Sequence, residues 1–302
     1  MKKVLVLVIL AGCVQLYSQD YIDIATVSYM TGINSSFENL NSDNSLQEWG
    51  IDLDFPIVLD SKNALLTGFS ANQIQVRLDP SEIGQTSLQT IAIRLGLNHT
   101  YSEKWDATYM IIPKIASDFS NGFATGYQWA VLALFSNTKT PRLKYSYGLY
   151  TNTEQYGLMI VPILGGYFKS TNNLWEARVL LPIRVDVNYQ LRPNIRAGLV
   201  FDGLGTSYSI ENETYRDNYV NRSTNELYAY LQHKITPSLF VRAKMGYSFF
   251  RAYKVYDSDD TIDFSITAIY FGDDRTVLNT DIDDGFQFKA ELVYRFNFSS
   301  QN

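Results

Sequence analysis

The sequence predicts an all-β fold, a closed antiparallel transmembrane β-barrel, from three observations. Residues 285–298 alternate apolar and polar side chains with period two, the four tryptophans fall near the ends of similar segments, and six short polar turns separate those segments. Period-two alternation places successive side chains on opposite faces of a strand. A wholly apolar face with aromatic ends, backed by a charged face, is typical of a strand that crosses an outer membrane.

The final segment shows this pattern most clearly. One face carries Phe286, Phe288, Ala290, Leu292, Tyr294, Phe296 and Phe298, and the other carries Gln287, Lys289, Glu291, Val293, Arg295 and Asn297. An edge strand of a soluble sandwich also has one apolar face, but a long apolar edge without a charge aggregates. The segment therefore favours a membrane strand. Its last aromatic residue, Phe298, is the expected signal for the barrel-assembly machinery.

Six turns of Ser, Thr, Pro, Lys and Asn set the predicted strand count. They lie at residues 59–63, 101–105, 137–141, 169–173, 191–194 and 235–238. Such turns close β-hairpins, and in outer-membrane barrels the short turns are periplasmic. With both chain ends in the periplasm, six turns join twelve strands, and the first and last strands bring the total to about 14. That count needs a turn near Pro182, in an apolar sequence unlike an exposed loop, so 12 strands is the alternative.

Longer polar segments between the predicted strands are candidate outer loops. They are residues 34–45, 79–86, 118–124, 151–155, 205–222 and 254–284. Within the last loop, residues 264–271 are apolar enough to fold inward as a constriction. Residues 64–78 are the least regular strand, because Gly68, Ser70 and Asn72 interrupt the predicted outward face, and a bulge there would shift the register.

The tryptophans Trp49, Trp105, Trp129 and Trp175 fall on outward rows near strand ends. That is the position of an aromatic girdle at the membrane–water interfaces. Random tryptophans in the core of a soluble sandwich would not favour strand ends.

The amino-terminal residues 1–19 are predicted to be a signal peptide, which leaves residues 20–302 as the barrel. Lys2 and Lys3 form the charged region, and residues 4–11 form the apolar region. An alternative interpretation is a lipobox that ends at Cys13. Cys13 is the only cysteine, so the mature chain has no internal disulfide.

Composition and motifs exclude several classes of function. Removal of Lys2 and Lys3 leaves 23 Lys and Arg against 31 Asp and Glu, a charge of −8, which excludes a basic nucleic-acid surface. The two histidines, His99 and His233, are predicted at periplasmic strand ends, away from any cluster that would activate a nucleophile. No phosphate loop, hydrolase elbow or Cys/His metal spacing occurs. The sequence therefore predicts no catalytic residue, metal site or cofactor, and no enzyme.

The predicted lumen face is mixed in charge. Its last strands carry a basic ladder that would favour anions in a pore, and the competing interpretation is a salt-bridged, water-filled interior that holds the barrel's shape. The ladder is Arg184, Arg196, Arg242, Lys244, Lys289 and Arg295. We expect a passive pore or uptake channel for a small solute or ion. The alternative is a structural or adhesive barrel, and a membrane-embedded hydrolase is the least favoured.

Several motifs resemble the uncharacterised outer-membrane β-barrels, classed as a domain of unknown function, of Bacteroidota-type bacteria. They are Tyr-Gln-Leu-Arg-Pro at 189–193, Lys-Ile-Thr-Pro-Ser at 234–238, Leu-Trp-Glu-Ala-Arg at 174–178 followed by Leu-Leu-Pro, and Tyr-Arg-Phe-Asn-Phe at 294–298. The resemblance covers most of residues 20–298. It implies the outer membrane of a Gram-negative bacterium, with contacts to lipid and lipopolysaccharide, and it implies no activity. One departure is the tail at residues 299–302, because barrel-assembly signals usually end on the aromatic residue itself.

Overall fold

The computed structural model describes residues 21–33, 36–37, 44–82 and 84–297. These residues form a closed barrel of 14 antiparallel strands, which confirms the predicted count over the alternative of 12. The predicted signal peptide, Cys13 and Phe298 lie outside the described residues. Within the described ranges, no helix is long and apolar enough to cross a membrane.

Each barrel strand pairs with its neighbour in sequence, and the first strand closes the barrel against the last. The barrel strands are β1 to β13 and β16, whereas β14 and β15 belong to the last outer loop. The strands are β1 Tyr21–Ile33, β2 Gln47–Val58, β3 Asn63–Val76, β4 Thr86–Ser102, β5 Trp105–Ser117, β6 Tyr127–Thr140, β7 Leu143–Glu154, β8 Gly157–Lys169, β9 Trp175–Leu181, β10 Arg184–Arg192, β11 Ile195–Ile210, β12 Asn218–Lys234, β13 Leu239–Asp257, β14 Phe264–Ile266, β15 Ile269–Phe271 and β16 Gly285–Asn297.

All six predicted periplasmic turns are present, between β2 and β3, β4 and β5, β6 and β7, β8 and β9, β10 and β11, and β12 and β13. The turn that the strand count required near Pro182 is also present, and Pro182 and Ile183 alone join β9 to β10. These two strands are short, at 7 and 9 residues, whereas the other barrel strands have 12 or more.

Strand β3 corrects the prediction for residues 64–78. It pairs with β2 and with β4 without a register shift, and Gly68, Ser70 and Asn72 lie on its inner face rather than its outer face. A Cβ atom at Gly68 would lie 2.7 Å from Arg94 Nε and 2.7 Å from Asp54 Oδ1. Glycine at this position therefore leaves room for the ion pair that those two residues form.

Three of the predicted outer loops are different in the structure. Residues 151–155 are almost entirely strand, because β7 runs to Glu154 and β8 begins at Gly157. Residues 205–222 are mostly strand, because β11 runs to Ile210 and β12 begins at Asn218, so only residues 211–217 form the loop. Residues 264–271 do not form an inward constriction. They form the β14–β15 hairpin, and β14 pairs in parallel with β8 at the barrel wall.

The upper halves of β11, β12 and β13 lean inward over the outer mouth. The inward part begins at a bulge between β12 and β13, where the register shifts between the pairs Asn225–Phe249 and Ser223–Ala252. Phe250 lies in this bulge with a φ of 52°. Their apolar side chains then pack against the inner face of the opposite strands β3 to β5. The contacting residues are Tyr208, Ile210, Val220, Tyr253 and Val255 on one side and Ile74, Val76, Leu88 and Ala116 on the other.

Candidate functional site: the charged barrel interior

Alternation along each strand places apolar side chains on the outside of the barrel and charged side chains inside. Leu199, Leu231 and Leu292 are examples of exposed outward residues, whereas Arg242, Lys244 and Glu291 are buried inside. Lipid offers no hydrogen-bond partner to the backbone, so a sheet that crosses a membrane must close on itself. A closed sheet with this apolar outer face is a membrane barrel.

Five of the six bases of the predicted ladder form direct ion pairs. Three carboxylates lie at 2.5–2.8 Å from their partners, and a fourth lies at 3.3 Å. The pairs are Arg184–Asp202, Arg196–Glu176, Arg242–Glu291, Lys244–Glu291 and Arg295–Asp23. The sixth base, Lys289, lies within electrostatic reach of Glu48, Glu226 and Glu291. Five of the six cations of the ladder are thus ion-paired.

Glu176 and Tyr21 join opposite walls near the periplasmic end. Tyr21 on β1 donates a hydrogen bond of 3.1 Å to Glu176 on β9, six strands away around the barrel. Glu176 also pairs with Arg178 at 2.8 Å and Arg196 at 3.3 Å. The Tyr21 ring lies between two guanidinium groups, 4.4 Å from Arg178 and 3.5 Å from Arg295. This cluster therefore spans the lumen near its periplasmic end.

A second cross-barrel pair lies higher in the interior. Arg222 on β12 donates to Glu48 on β2 at 2.8 Å and lies 3.6 Å from Glu226. Arg222 was not among the predicted lumen residues, because the composition of residues 205–222 is typical of a loop. The alternation of inward residues that begins at Val220 and continues through Thr224 would have placed Arg222 on the inner face.

Glu154 fastens the inward part of β11 to the wall at β7, and we name this set of contacts the β11 clamp. The Glu154 side chain is fully buried, and its Oε2 accepts hydrogen bonds from Ser207 N (2.6 Å) and Ser207 Oγ (2.7 Å). Its other oxygen pairs with Lys114 Nζ at 3.4 Å, and Lys114 donates to Thr206 Oγ1 at 2.8 Å. Above the clamp, an outer cavity of about 350 Å³ is lined by polar residues that include Gln155, Glu211 and Asp217.

The predicted girdle tryptophans all lie exposed on the outside. Trp105 and Trp175 are the first residues of β5 and β9 at the periplasmic rim, and Trp49 and Trp129 lie near the outer ends of β2 and β6. Three of them lie beside a tyrosine ring: Trp49 is 4.3 Å from Tyr29, Trp105 is 6.2 Å from Tyr147 and Trp175 is 4.8 Å from Tyr189.

Both histidines lie near the periplasmic ends of their strands. His99 Nδ1 lies 2.7 Å from Asn63 Oδ1 beside a periplasmic turn, and His233 is exposed near the end of β12. Among the described residues, no group of three or more His, Cys, Asp or Glu side chains could hold a metal ion.

The fold and its charged interior define a class of protein, the outer-membrane β-barrels. The chain belongs to the family described as a domain of unknown function, DUF6268, whose model matches residues 15–265. No curated protein matches the chain.

Solved structures with a similar barrel include an outer-membrane channel, COG4313, from Pseudomonas putida F1, at 10% identity and a TM-score of 0.48, covering 93% of this chain and 98% of that chain. OprB from Pseudomonas putida is 9% identical with a TM-score of 0.43, covering 93% of this chain and 94% of that chain. The NanC porin is 7% identical with a TM-score of 0.38, covering 89% and 98%.

Proposed function

We propose that the protein is an outer-membrane channel for small solutes, with an ion-paired lumen of mixed charge. The observation that carries this proposal is the chemistry of the interior. Buried ion pairs stabilise a protein weakly, and apolar side chains of similar volume often stabilise it more. An interior built from pairs such as Arg242–Glu291 and Arg222–Glu48 therefore favours a hydrated path over a plain structural core.

The pairing of the basic ladder sets the expected ion selectivity. Glu291 faces both Arg242 at 2.8 Å and Lys244 at 2.5 Å, so one carboxylate offsets two cations of the ladder. Asp23 offsets a further cation of the ladder, Arg295, at 2.5 Å. We therefore expect weak anion preference in the native channel and stronger preference once a carboxylate is neutralised.

The inward part of β11 to β13 makes this channel a gated one. Its apolar packing against β3 to β5 and the β11 clamp cover the outer mouth. Solute would first occupy the outer cavity beside Gln155 and Glu211, whose volume of about 350 Å³ suits a small molecule.

Planar-bilayer conductance with ion selectivity tests the proposal. Glu291→Gln keeps the shape of the side chain and removes its charge, so the reversal potential in a salt gradient should shift toward anions. Glu103→Gln makes the same charge change in an exposed periplasmic turn and should leave selectivity unchanged. Absence of conductance from both the native protein and a variant with an opened clamp would contradict a channel.

The second candidate is a structural or adhesive barrel. The apolar packing of Tyr208, Val220 and Tyr253 under the outer mouth favours it, because such a core stabilises a permanently closed barrel. This function predicts no conductance in any variant, and cell-envelope or adhesion phenotypes that follow changes in the outer loops.

A further inference from the structure

The barrel wall is incomplete above the β9–β10 turn. Strand β9 has 7 residues, which at about 3.3 Å each and a tilt of about 40° rise about 18 Å, against an apolar band about 25 Å tall. Trp175 and Tyr189, whose rings are 4.8 Å apart, lie at the periplasmic base of this hairpin. The turn at Pro182 and Ile183 therefore lies inside the bilayer, in its outer half.

This position explains why the turn is apolar. Backbone groups in a bilayer need partners. Ile183 N donates to Leu180 O at 2.8 Å, and Gly203 N donates to Ile183 O at 2.8 Å. With those bonds made, the apolar side chains of Leu181 and Pro182 suit a lipid environment and would not suit an outer loop.

The two neighbouring strands separate above the turn. On β8 the last pair with β9 is Leu164–Leu181, and on β11 the last pair with β10 is Asp202–Arg184. Higher on β11, the outward row changes to Gly203, Gly205, Ser207 and Ser209, and the strand crosses inward to the β11 clamp. We name the gap between β8 residues 161–163 and β11 residues 203–205 the wall notch.

A short hairpin covers the upper part of the wall notch. Strand β14 pairs in parallel with Leu158, Met159 and Ile160 of β8, and Thr267 N donates to Ile160 O at 2.8 Å. Within the described residues, no strand pairs with 161–163 on this side of β8. The hairpin is joined to the wall along one edge, so it is a cover rather than a continuous part of the barrel.

Arg275 holds the cover in place. Its guanidinium carbon lies 4.3–5.3 Å from the ring centres of Tyr256, Tyr270 and Tyr156, and it donates to Tyr219 at 3.3 Å. Tyr270 belongs to the cover, whereas Tyr156 precedes β8 and Tyr219 and Tyr256 belong to β12 and β13. One cation thus connects the cover to the residue just before β8 and to β12 and β13.

Strand β8 is apolar on both faces next to the notch. Leu158 and Leu164 are exposed outward, and Met159, Val161 and Ile163 are buried inward. From Leu158 to Gly166 the strand carries no polar side chain. The ion-paired part of the interior presents charged side chains, whereas this strip offers an apolar solute a continuous surface from the interior to the notch.

We propose that the wall notch is a lateral passage through which small apolar solutes move between the barrel interior and the outer leaflet, with the β14–β15 hairpin as its movable cover. This inference rests on the proposed channel function and specifies its solute class. A polar solute would have to pass the apolar rim formed by Leu181, Ile163 and Ile266, whereas an apolar solute loses nothing there.

A disulfide that locks the cover tests the passage. Leu158→Cys with Phe264→Cys joins register partners on β8 and β14, in a background with Cys13→Ala. Ala133→Cys with Leu149→Cys joins register partners on the lipid face of β6 and β7, away from the notch, and is the matched control. The probe is the apolar dye N-phenyl-1-naphthylamine, whose fluorescence reports its uptake across a lipopolysaccharide-containing outer membrane. Conductance of each variant in planar bilayers is measured in parallel.

The expected result is that the oxidised lock lowers dye uptake to that of cells without the protein, reduction restores it, and the control pair changes nothing. Arg275→Ala, which releases the cover, should raise dye uptake above the native level, and conductance should be the same with the lock oxidised or reduced.

Equal dye uptake with the lock oxidised and reduced, while conductance persists, would overturn the lateral passage and leave the channel standing. A lock that lowers conductance and dye uptake together would also overturn it, because both would then use one axial path. Loss of both readouts in the native protein and in Arg275→Ala would overturn the channel as well.

Discussion

At the scale of single residues, the function of a charged side chain here depends on its partner across the lumen. Arg295 lies at the seam where β16 meets β1, pairs with Asp23 at 2.5 Å and stacks on Tyr21. Arg295 therefore links the first and last strands of the barrel and also lines the lumen. Arg242 and Lys244 on β13 likewise share Glu291 on β16.

Phe298→Ala should reduce the amount of barrel that reaches the outer membrane. Alternation in the sequence predicts that Phe298 ends the apolar face of the last strand, where the assembly machinery is expected to act, and the change removes a ring but no backbone hydrogen-bonding group. The folded barrel should lose only about 1–3 kcal/mol, the scale of one large apolar side chain. Heat-modifiable gel shifts of outer-membrane fractions measure both effects.

Two comparison variants sharpen this prediction. Deletion of residues 299–302 should leave assembly intact. Arg295→Ala leaves Asp23 without its partner, so it should lower the unfolding temperature while the protein still reaches the membrane. Normal assembly of Phe298→Ala together with failure of Arg295→Ala would reverse the assignment of lipid and lumen faces.

Alternation predicts the face of a residue but not its height or its partner. The six bases of the ladder were predicted on the inner side from alternation alone. The ion pairs that five of them form depend on how the strands are staggered, which alternation does not show. Tyr21 and Asp23 were missed for the same reason. They belong to the first strand, and they meet Glu176 and Arg295, which are far away in sequence.

At the scale of elements, the β9–β10 hairpin shows that a correct strand count does not fix the length of each strand. The count needed a turn at Pro182, and the turn exists, but the 7-residue strand β9 is too short to carry it across the apolar band. The prediction for residues 205–222 was wrong in the opposite sense, because a predicted loop is mostly strand. Their Gly, Ser and Asn residues are typical of a loop, but they belong to strands that leave the lipid face and need no apolar outward row.

A spin label at Leu181→Cys should be accessible to dissolved oxygen and protected from a water-soluble nickel complex. Leu181 is exposed at the end of β9, and the hairpin is too short to cross the apolar band. Leu191→Cys, exposed at the periplasmic end of β10, is the control and should show much greater nickel accessibility. Equal nickel accessibility at both positions would place the turn in water.

The Asp273–Arg275 pair should make the cover hairpin sensitive to acid. Arg275 donates to both oxygens of Asp273, at 2.8 Å and 3.0 Å, and this hydrogen bonding holds the pKa of Asp273 below its usual range. A depressed pKa means that the stabilisation is present above the ordinary carboxyl pKa of about 4 and is lost as pH falls through the lower folded value. The mobility of a spin label at Ile269→Cys should therefore rise below about pH 4 and stay constant above about pH 5.

The control for this pH response lies in the same loop. Asp259→Asn alters an exposed carboxylate outside the Asp273–Arg275 pair and should keep the acid response. Asp273→Asn should give a mobile label at every pH. An unchanged pH profile in Asp273→Asn would show that another group titrates.

At the scale of the whole molecule, the barrel combines a continuous lower cylinder with an upper half that is rearranged. Strands β1 to β8 and β16 continue upward as wall, whereas β11 to β13 fold over the mouth and β9 and β10 stop early. The inward fold and the wall notch are therefore two results of one rearrangement. In the proposed channel, the covered outer mouth and the lateral passage would both follow from the departure of β11 from the wall.

The β11 clamp tests how this architecture works as a unit. Glu154→Ala removes the acceptor of two hydrogen bonds from Ser207 and leaves Lys114 without its carboxylate. Hydrogen bonds to a charged group contribute about 1.5–3 kcal/mol each, and about 1.4 kcal/mol changes an equilibrium tenfold. If the inward fold is the gate, the open fraction should rise by at least about tenfold, seen as longer or more frequent openings in planar bilayers. Glu103→Ala, in a periplasmic turn, should leave the openings unchanged. Native-like openings in a stably folded Glu154→Ala barrel would mean that the inward strands do not control the path, and solute would then have to use a route that bypasses them.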